Sequence, residues 1–295
     1  MAGLLQRLQE TVTAPLDKFF PADPTINDGT IWLTDLGNSL QGISGVPANG
    51  AVVNNIAWDI AKRMIPSGTQ STLSGNVAQS LDIVGSKAFA ERTPKGGLHV
   101  IISQAVDVDS GNDFAITLPS LIKDYLLDNP THEFFTSVWG HTTRVATVNP
   151  SGVFYCYQNS TNFKFAILQQ GMVPNSLYPS NTIGTSASAN TVGGFRKSIG
   201  FKGYIASGVA GSPPAAGSRS NIYFQFKIGS KFPWATTETN KAASLILYRL
   251  YIEDLTVSGR TYAQADLADT NFYNEAFGSG GRFNGDSFTS PSTLP

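Results

Sequence analysis

The stretch Ser244-Leu-Ile-Leu-Tyr-Arg-Leu-Tyr-Ile-Glu-Asp-Leu-Thr-Val-Ser258 decides the fold class of this chain. Its even positions from 246 to 252 are apolar or aromatic, namely Ile246, Tyr248, Leu250 and Ile252. Its odd positions are mixed and include Arg249, Tyr251 and Glu253. Because successive side chains of a strand point to opposite faces, this alternation predicts a long β-strand with one buried face and one mixed face. The stretch lies near the end of the chain, so it needs a sheet that earlier residues have already formed.

Earlier parts of the chain show the same alternation, in residues 98–118, 134–168 and 222–228. Turns rich in Gly, Ser and Asn separate them, and helix signals are few. Many short strands with such turns predict a mainly β protein, an antiparallel β-sandwich. No charged or Pro-rich linker interrupts the strand-rich region, so one sandwich is expected. The predicted organisation is an N-terminal helix and arm (residues 1–22), the sandwich (23–260), and a helix-like segment with an extended C-terminal tail (261–295).

The content of charged residues and the net charge limit the classes of partner that the chain can attract. Charged residues make up only 14 % of the 295 residues, against about 25 % in typical soluble domains. The formal net charge is −1, and no run of Lys or Arg occurs, so bulk charge directs the chain neither to nucleic acid nor to an anionic membrane. No window approaches the ~18 apolar residues of a membrane span. A polar but uncharged surface is typical of subunits held against neighbours or of proteins that work outside the cell.

Residues 3–14 predict an amphipathic helix, because Leu4, Leu8 and Val12 recur at helical spacing with Leu5 beside them. Pro15 ends this helix. A helix of this length is marginal alone, so its apolar stripe is expected to dock, either on its own domain or on a neighbouring subunit. Nothing in residues 1–14 forms the apolar core of a secretory signal peptide.

The C-terminal residues from Gly278 onward are rich in glycine and show no periodicity. An extended tail is expected there, with Arg282 and Phe283 as candidate contacts to a neighbouring subunit.

Candidate metal and cofactor sites do not match known templates. The acidic turn from Asp107 to Asp113 lacks the glycine and glutamate positions of a calcium-binding EF-hand loop. The histidines have no metal-binding spacing, and the single cysteine, Cys156, lies in an apolar run typical of a buried thiol. No metal and no cofactor is therefore expected.

Catalytic signatures are equally missing from the sequence. No nucleophile elbow, phosphate-binding loop or dinucleotide fingerprint occurs. Glu253 and Asp254 are adjacent in the predicted strand, so they face opposite sides of the sheet and cannot act together on one substrate. The chain is expected not to be an enzyme. Trp234, in the loop Phe232-Pro-Trp234, is the best candidate to stack on a sugar ring.

Three stretches resemble the C-terminal part of tailed-bacteriophage virion proteins with lectin-like jelly-roll domains. They are Leu247–Tyr262, Phe272-Tyr-Asn-Glu-Ala-Phe277 and Gly280-Gly-Arg-Phe-Asn-Gly-Asp286. The resemblance implies that the strand at Tyr248–Thr256 is among the closing strands of a concanavalin-like sandwich. The sugar- and calcium-binding residues of that family have no clear counterparts in this sequence.

The resemblance and the composition together predict a structural subunit of a bacteriophage virion, a tail, baseplate or fibre component held by its terminal arms. The expected partners are further copies of the chain and other virion proteins, and the expected route is assembly in the host cytoplasm followed by release on lysis. A carbohydrate- or receptor-binding module for host adsorption and a capsid decoration protein remain alternatives.

Overall fold

The computed structural model describes residues 23–41, 43–83, 87–105, 113–146, 152–158, 162–168, 171–172, 182–185, 191–202, 205–206, 209–210, 219, 222–229 and 242–294. In chain order the strands are β1 (Thr30–Asp35), β2 (Val52–Val53), β3 (Gly75–Gln79), β4 (Ala88–Arg92), β5 (Leu98–Ile102), β6 (Asp113–Thr117), β7 (Glu133–Arg144), β8 (Gly152–Gln158), β9 (Asn162–Leu168), β10 (Gly171–Met172), β11 (Thr182–Thr185), β12 (Gly193–Lys202), β13 (Ile205–Ala206), β14 (Val209–Ala210), β15 (Ile222–Gly229) and β16 (Ser244–Asp254). The helices are α1 (Trp58–Met64), α2 (Ser120–Asp128), α3 (Leu255–Ser258) and α4 (Tyr262–Phe277), with short 3₁₀ turns at Ser39–Gln41 and Pro291–Thr293.

The strands form two large sheets and one short hairpin, β13–β14. The first sheet has the order β11-β12-β7-β16-β5-β4, with β1 also paired to β16, and the second has the order β10-β9-β8-β15-β6-β3-β2. Within the described residues the pairings are antiparallel, which confirms the predicted mainly β, antiparallel sandwich. The predicted last strand, β16, lies inside the first sheet, between β7 on one side and β5 and β1 on the other.

A β-bulge in β16 changes which residues share a face. Leu247 pairs with Gly140 of β7, yet Arg249 pairs with the adjacent residue Trp139, so Tyr248 is the extra residue of the bulge. Leu245 and Leu247 before the bulge face the sandwich interior together with Leu250 and Ile252 after it, whereas Ile246, Tyr248 and Tyr251 belong to clusters outside that interior. The strict alternation expected from the sequence is wrong at this point, because the bulge exchanges odd and even positions.

The interior between the sheets is a single apolar core. The second sheet contributes Val77, Phe114, Ile116, Phe224 and Phe226, and the first contributes Val100, Val138, Leu245, Leu247, Leu250 and Ile252. Helices α1 and α2 close the core with Ala61, Ile122 and Leu126. This packing of two sheets face to face is what makes the fold a sandwich.

The other face of the first sheet is also covered, so all residues of β16 are buried. The expected mixed face of this strand is therefore a second packed face. Helix α4 lies on it with Phe272 and Ala276, and the C-terminal residues add Phe283. A capping box between Thr261 and Gln264 begins α4, in the segment where the sequence predicts a short helix.

Strand β16 ends four residues earlier than the predicted stretch. The Asp254 side chain accepts a hydrogen bond from Val257 N at 3.0 Å and so caps the single turn α3. Gly259, with φ of 71°, ends that turn in the left-handed conformation that glycine adopts readily. The change of direction brings the chain from the sheet into α4.

The C-terminal tail runs along the outer face of the same sheet. Beyond α4 it has no regular structure except the 3₁₀ turn at Pro291–Thr293. Arg144 Nη1 donates to the carbonyl oxygens of Pro291 at 3.1 Å and Leu294 at 2.8 Å. Among the described residues no helix is long and apolar enough to cross a membrane.

Candidate functional site

The middle of β16 carries a buried cation, Arg249, among apolar and aromatic neighbours in the strand. Its Nη1 donates to Oδ1 of Asp269 at 3.0 Å, and its Nη2 donates to Oδ2 of Asp23 at 3.0 Å and to Thr25 Oγ1 at 2.6 Å. Burial opposes the charged form, but the carboxylates of Asp23, Asp269 and Asp35 outweigh it and raise the pKa of Arg249 above its ordinary value. A permanent charge thus joins β16, α4 and the segment before β1.

Aromatic rings surround the Arg249 guanidinium. Its central carbon lies 4.6 Å from the ring centroid of Trp139, 4.9 Å from that of Tyr251 and 5.7 Å from that of Phe272. A cation over aromatic faces is attracted to them, and more strongly where water is excluded. The rings and the carboxylates together compensate for the loss of water around this cation.

Asp269 of α4 is the shared acceptor of the cluster. Its buried carboxylate accepts hydrogen bonds from Arg249, from Ser137 Oγ at 3.0 Å, from Trp139 Nε1 at 3.1 Å and from Arg196 Nη1 at 3.0 Å. These donors come from β16, β7 and β12. Because both oxygens are engaged with fixed donors, Asp269 holds α4 to the sheet.

Asp266, one helical turn earlier, extends the same contact. Its Oδ1 accepts from Arg196 Nη2 at 2.7 Å and from Ser198 Oγ at 2.6 Å. The Ser198 hydroxyl also lies 2.8 Å from the hydroxyl of Tyr262. Burial raises the pKa of Tyr262 to about 12, so this phenol stays protonated and available as a donor.

A second polar cluster lies near the end of β16. The Glu253 carboxylate is bound by the Arg260 guanidinium, with Nε at 2.8 Å from Oε1 and Nη2 on Oε2. The Tyr251 hydroxyl lies 3.0 Å from the same Oε2 and donates to the carbonyl oxygen of Thr25 at 2.8 Å. Burial, reinforced by the Glu253 charge, raises the pKa of Tyr251. The phenol is therefore protonated at neutral pH.

Asp254 faces the opposite side from Glu253, as expected from their adjacency in the strand. Its Oδ2 lies 2.6 Å from Nδ1 of His132 and accepts from the Tyr125 hydroxyl at 2.7 Å. Burial raises the pKa of Tyr125, and Asp254 adds to that effect. The two neighbouring carboxylates thus serve different contacts and do not form an acid and base pair.

A histidine pair lies beneath the C-terminal tail. His99 is fully buried, with Nδ1 at 2.9 Å from Glu91 Oε1 and Nε2 at 2.9 Å from Thr143 Oγ1. The ring of Phe288 lies 5.3 Å from the rings of both His99 and His141. Burial lowers the pKa of both histidines. Burial beneath the tail therefore favours the neutral form of both imidazoles.

The candidate binding site is an open cleft beside the Arg249 cluster, with a volume of about 600 Å³. Its apolar walls are Ile26, Leu33, Leu40, Ile56, Phe272 and Ala276. Its polar groups include Asp23, Asp35, Glu275 and Arg282. Volume and lining fall in the range of sites that bind small molecules or the side chains of a partner.

Two of the carboxylates in the cleft are held by cations. Asp23 pairs with Arg249, and Oδ2 of Asp35 lies 2.5 Å from Nη2 of Arg282. Burial disfavours ionised Asp23, but Arg249 and Thr25 outweigh it and lower the pKa of this carboxyl. Glu275 is exposed and has no hydrogen-bond or ion-pair partner among the described residues. The cleft therefore offers apolar walls with one unpaired negative charge at its edge.

The residues predicted as sites lie in different settings. Phe283 is buried in its own chain, with its ring centroid 4.4 Å from that of Tyr248, and Arg282 pairs with Asp35. Both side chains are thus occupied within the chain, because the tail folds back onto the sheet. Leu4, Leu5, Leu8, Val12 and Trp234 lie outside the described residues.

Most of the acidic turn that begins at Asp107 lies outside the described residues. Its last residue, Asp113, pairs with Lys227 at 2.5 Å. In the part of the chain that the structure describes, no group of His, Cys, Asp and Glu is arranged to hold a metal ion.

The cluster of Arg249, Asp269 and Asp23 is not evident from the sequence. The available signal was the placement of a cation in the middle of an apolar strand, which requires a buried partner. The partners themselves come from segments far apart in the sequence, and only the folded chain brings them together.

No family model matches the chain, and no curated protein matches it. Among solved structures, the chain is similar to Trypanosoma rangeli sialidase in complex with a difluoro-nononic acid, with a TM-score of 0.43 and 11% identity over 86% of this chain and 36% of that one. A second structure of the same sialidase, a covalent intermediate with 2,3-difluorosialic acid, gives a TM-score of 0.34 and 9% identity over 81% of this chain and 34% of that one. The chain therefore spans about a third of the length of these structures.

These comparisons correct one expectation. The sequence predicts a protein that is not an enzyme, whereas the solved structures to which the chain is similar are those of an enzyme. That expectation is withdrawn. At these TM-scores and identities the similarity assigns no activity, substrate or site residue to this chain.

Proposed function

We propose that this chain is a structural subunit of a bacteriophage virion, a component of the tail, baseplate or fibre. The proposal rests on the packing of the stretches that resemble virion proteins. Tyr248 of β16 lies with its ring centroid 5.2 Å from Phe277 of α4 and 4.4 Å from Phe283 of the tail, and its hydroxyl donates to Asp286 at 2.9 Å. The resembling stretches, one in the first sheet and two packed on its outer face, thus contact one another in the folded chain.

The low content of charged residues and the hydrogen-bond network of Asp269 support the same proposal. The low content of charged residues, 14 %, suits a subunit that is held against neighbours. Helix α4 is fixed to three strands by Asp269, which suits a rigid particle component. The N-terminal residues 1–22 remain as the arm proposed to reach a neighbour, because the tail is engaged with its own sheet.

Two alternatives to this proposal place the chain in another role on the particle. A carbohydrate- or receptor-binding module for host adsorption would use loop aromatics such as Trp234. A capsid decoration protein would use the same fold on the head of the particle.

The test is the composition of purified particles. Virions prepared by density gradient from the host that carries the gene are analysed by mass spectrometry, and an antibody against the chain is located by immunogold electron microscopy. We expect the chain in stoichiometric amounts and gold label on the tail. Label on the head would favour the decoration protein, and absence of the chain from purified particles would contradict the proposal.

A further inference from the structure

The open cleft defined by Ile26, Leu33, Leu40, Ile56, Phe272 and Ala276 lies where the N-terminal segment joins the folded chain. Asp23 is in the cleft wall and is the first described residue. Its carboxylate is fixed to Arg249 at 3.0 Å and to Thr25 Oγ1 at 2.6 Å. Residues 1–22 therefore continue from an anchored point at the edge of an apolar cleft.

The N-terminal segment has the chemistry that this cleft accepts. Its predicted helix, residues 3–14, is about 18 Å long and carries the apolar stripe of Leu4, Leu8 and Val12. A helix this short needs an apolar surface to be stable. An apolar stripe in an apolar groove is a recurrent mode of helix recognition.

One charge of the cleft is complementary to cations of the segment. Residues 1–22 carry two positive side chains, Arg7 and Lys18, and two negative ones, Glu10 and Asp17. In the cleft Asp23 pairs with Arg249 and Asp35 pairs with Arg282, so among the described residues the charge of Glu275 is the one left unpaired. Glu275 is the group free to meet a cation of the segment.

The prolines of the connection favour a helix that lies away from its own cleft. Pro15 and Pro21 lie between the helix and Asp23, and Pro24 follows directly. Residues that precede proline favour extended conformations. If residues 15–22 are extended, they span about 25 Å at the polyproline rise per residue. A connection of that length would place the helix beyond the cleft at whose edge its own segment begins.

We propose that the cleft of one copy receives residues 3–14 of a neighbouring copy. The inference rests on the proposed function, since an assembled subunit has such neighbours. Each copy then donates one arm and accepts another, a contact that closes into a ring or a symmetric pair. The cleft would be the subunit-contact site that complements the N-terminal arm.

The test uses chemical cross-linking of the full chain. All variants carry Cys156→Ser, so that no native thiol remains. One chain also carries Leu8→Cys in the arm and another carries Leu40→Cys in the cleft, where Leu40 is 63% exposed. The two chains are mixed and treated with a short bismaleimide. The matched control replaces Leu40→Cys by Leu267→Cys, since Leu267 on α4 is 61% exposed but lies outside the cleft.

We expect a cross-linked heterodimer with Leu40→Cys and at least tenfold less with Leu267→Cys. A single chain that carries both Leu8→Cys and Leu40→Cys should give intermolecular products. Products confined to one chain would overturn the inference, because the arm would then occupy its own cleft. Equal products with the control, or none, would also overturn it.

A second measurement does not depend on the cross-linker. Leu40→Asp should shift the full chain from oligomer to monomer in size-exclusion chromatography with light scattering, as should Leu8→Asp, whereas Leu267→Asp should not. An oligomer that persists in both Leu40→Asp and Leu8→Asp would contradict the inference. These measurements use purified protein, so failure of the virion proposal, seen as absence from particles, is distinguishable from failure of the arm contact.

Discussion

Arg249 and Asp269 form an ion pair that is fully buried, with Nη1 of the arginine 3.0 Å from Oδ1 of the aspartate. The pair joins the central strand β16 to helix α4, which covers the outer face of the sheet. Asp269 also accepts a hydrogen bond from Arg196 at 3.0 Å. Loss of one partner from a buried pair leaves the other charge without compensation, and that is far more costly than loss of a surface pair.

The Asp269→Asn variant should therefore lower the free energy of unfolding by about 3–5 kcal/mol. Two cations, Arg249 and Arg196, would then share less negative charge in a buried site. Urea denaturation followed by circular dichroism measures the loss. The control is Asp28→Asn, which breaks a pair with Arg63 whose side chains are 78% and 64% exposed and should change stability by less than about 1 kcal/mol. Equal losses in the two variants would refute the role assigned to Asp269.

The Phe283→Ala variant tests whether the tail belongs to the core of its own chain. Phe283 is 3% exposed and packs on Tyr248 and Phe277, so truncation should cost about 3–5 kcal/mol. Phe288→Ala is the control, because Phe288 is 36% exposed and should cost clearly less. Thermal and chemical denaturation of both variants measure the difference. An unchanged midpoint for Phe283→Ala, or a chain shortened at residue 277 that keeps full stability, would indicate a tail that is free to leave the sheet.

Glycines in β11 and β12 make room for the first residue of α4. A Cβ at Gly200 would lie 2.5 Å from Cδ2 of Tyr262 and 2.7 Å from Cγ1 of Ile183. Gly200→Ala should therefore destabilise the chain by about 1–3 kcal/mol, because the ring must move away from the strand. A double-mutant cycle with Tyr262→Ala isolates the clash. Gly200→Ala should be clearly less costly when Tyr262 is already Ala, and an equal cost in both backgrounds would place the clash elsewhere.

The sequence predicts the fold class because the alternating runs that form the two sheets are local patterns. The helix after Thr261 is a local feature as well, because the hydrogen bonds of its capping box lie within four residues. The bulge at Tyr248 could not be predicted, because it depends on how β16 pairs with β7. Both faces of the strand are packed because α4 and the tail cover the outer one, and the alternation within the strand carries no sign of that cover.

The candidate site was even less accessible to sequence reasoning. Arg249 could be recognised as unusual, but Asp23 and Asp269 are selected by the fold and not by spacing. The tail residues Arg282 and Phe283 were predicted to contact a neighbour because a glycine-rich segment has no periodic signal of burial. The contact of Phe283 with Tyr248 exists only once α4 has reversed the chain.

Acidification should weaken the attachment of the tail through His99 and Glu91. Burial holds the pKa of His99 below its ordinary 6.5, so the unfolded state binds the proton more readily and stability falls as the pH drops below 6.5. His141, also lowered by burial and by His99, acts in the same direction, while Asp286 opposes it. Burial acts against ionised Glu91, but hydrogen bonds from His99 and Thr289 outweigh it and hold its pKa below 4.5. Glu91 therefore adds a further loss of stability below that pH.

We expect His99→Gln to flatten the dependence of the free energy of unfolding on pH between pH 6.5 and 5. The Thr289 amide donates to Glu91 at 2.7 Å, and its protection from hydrogen exchange should decline with falling pH in the wild type. A His99→Gln profile that keeps the full slope would assign the acid sensitivity to groups elsewhere in the chain.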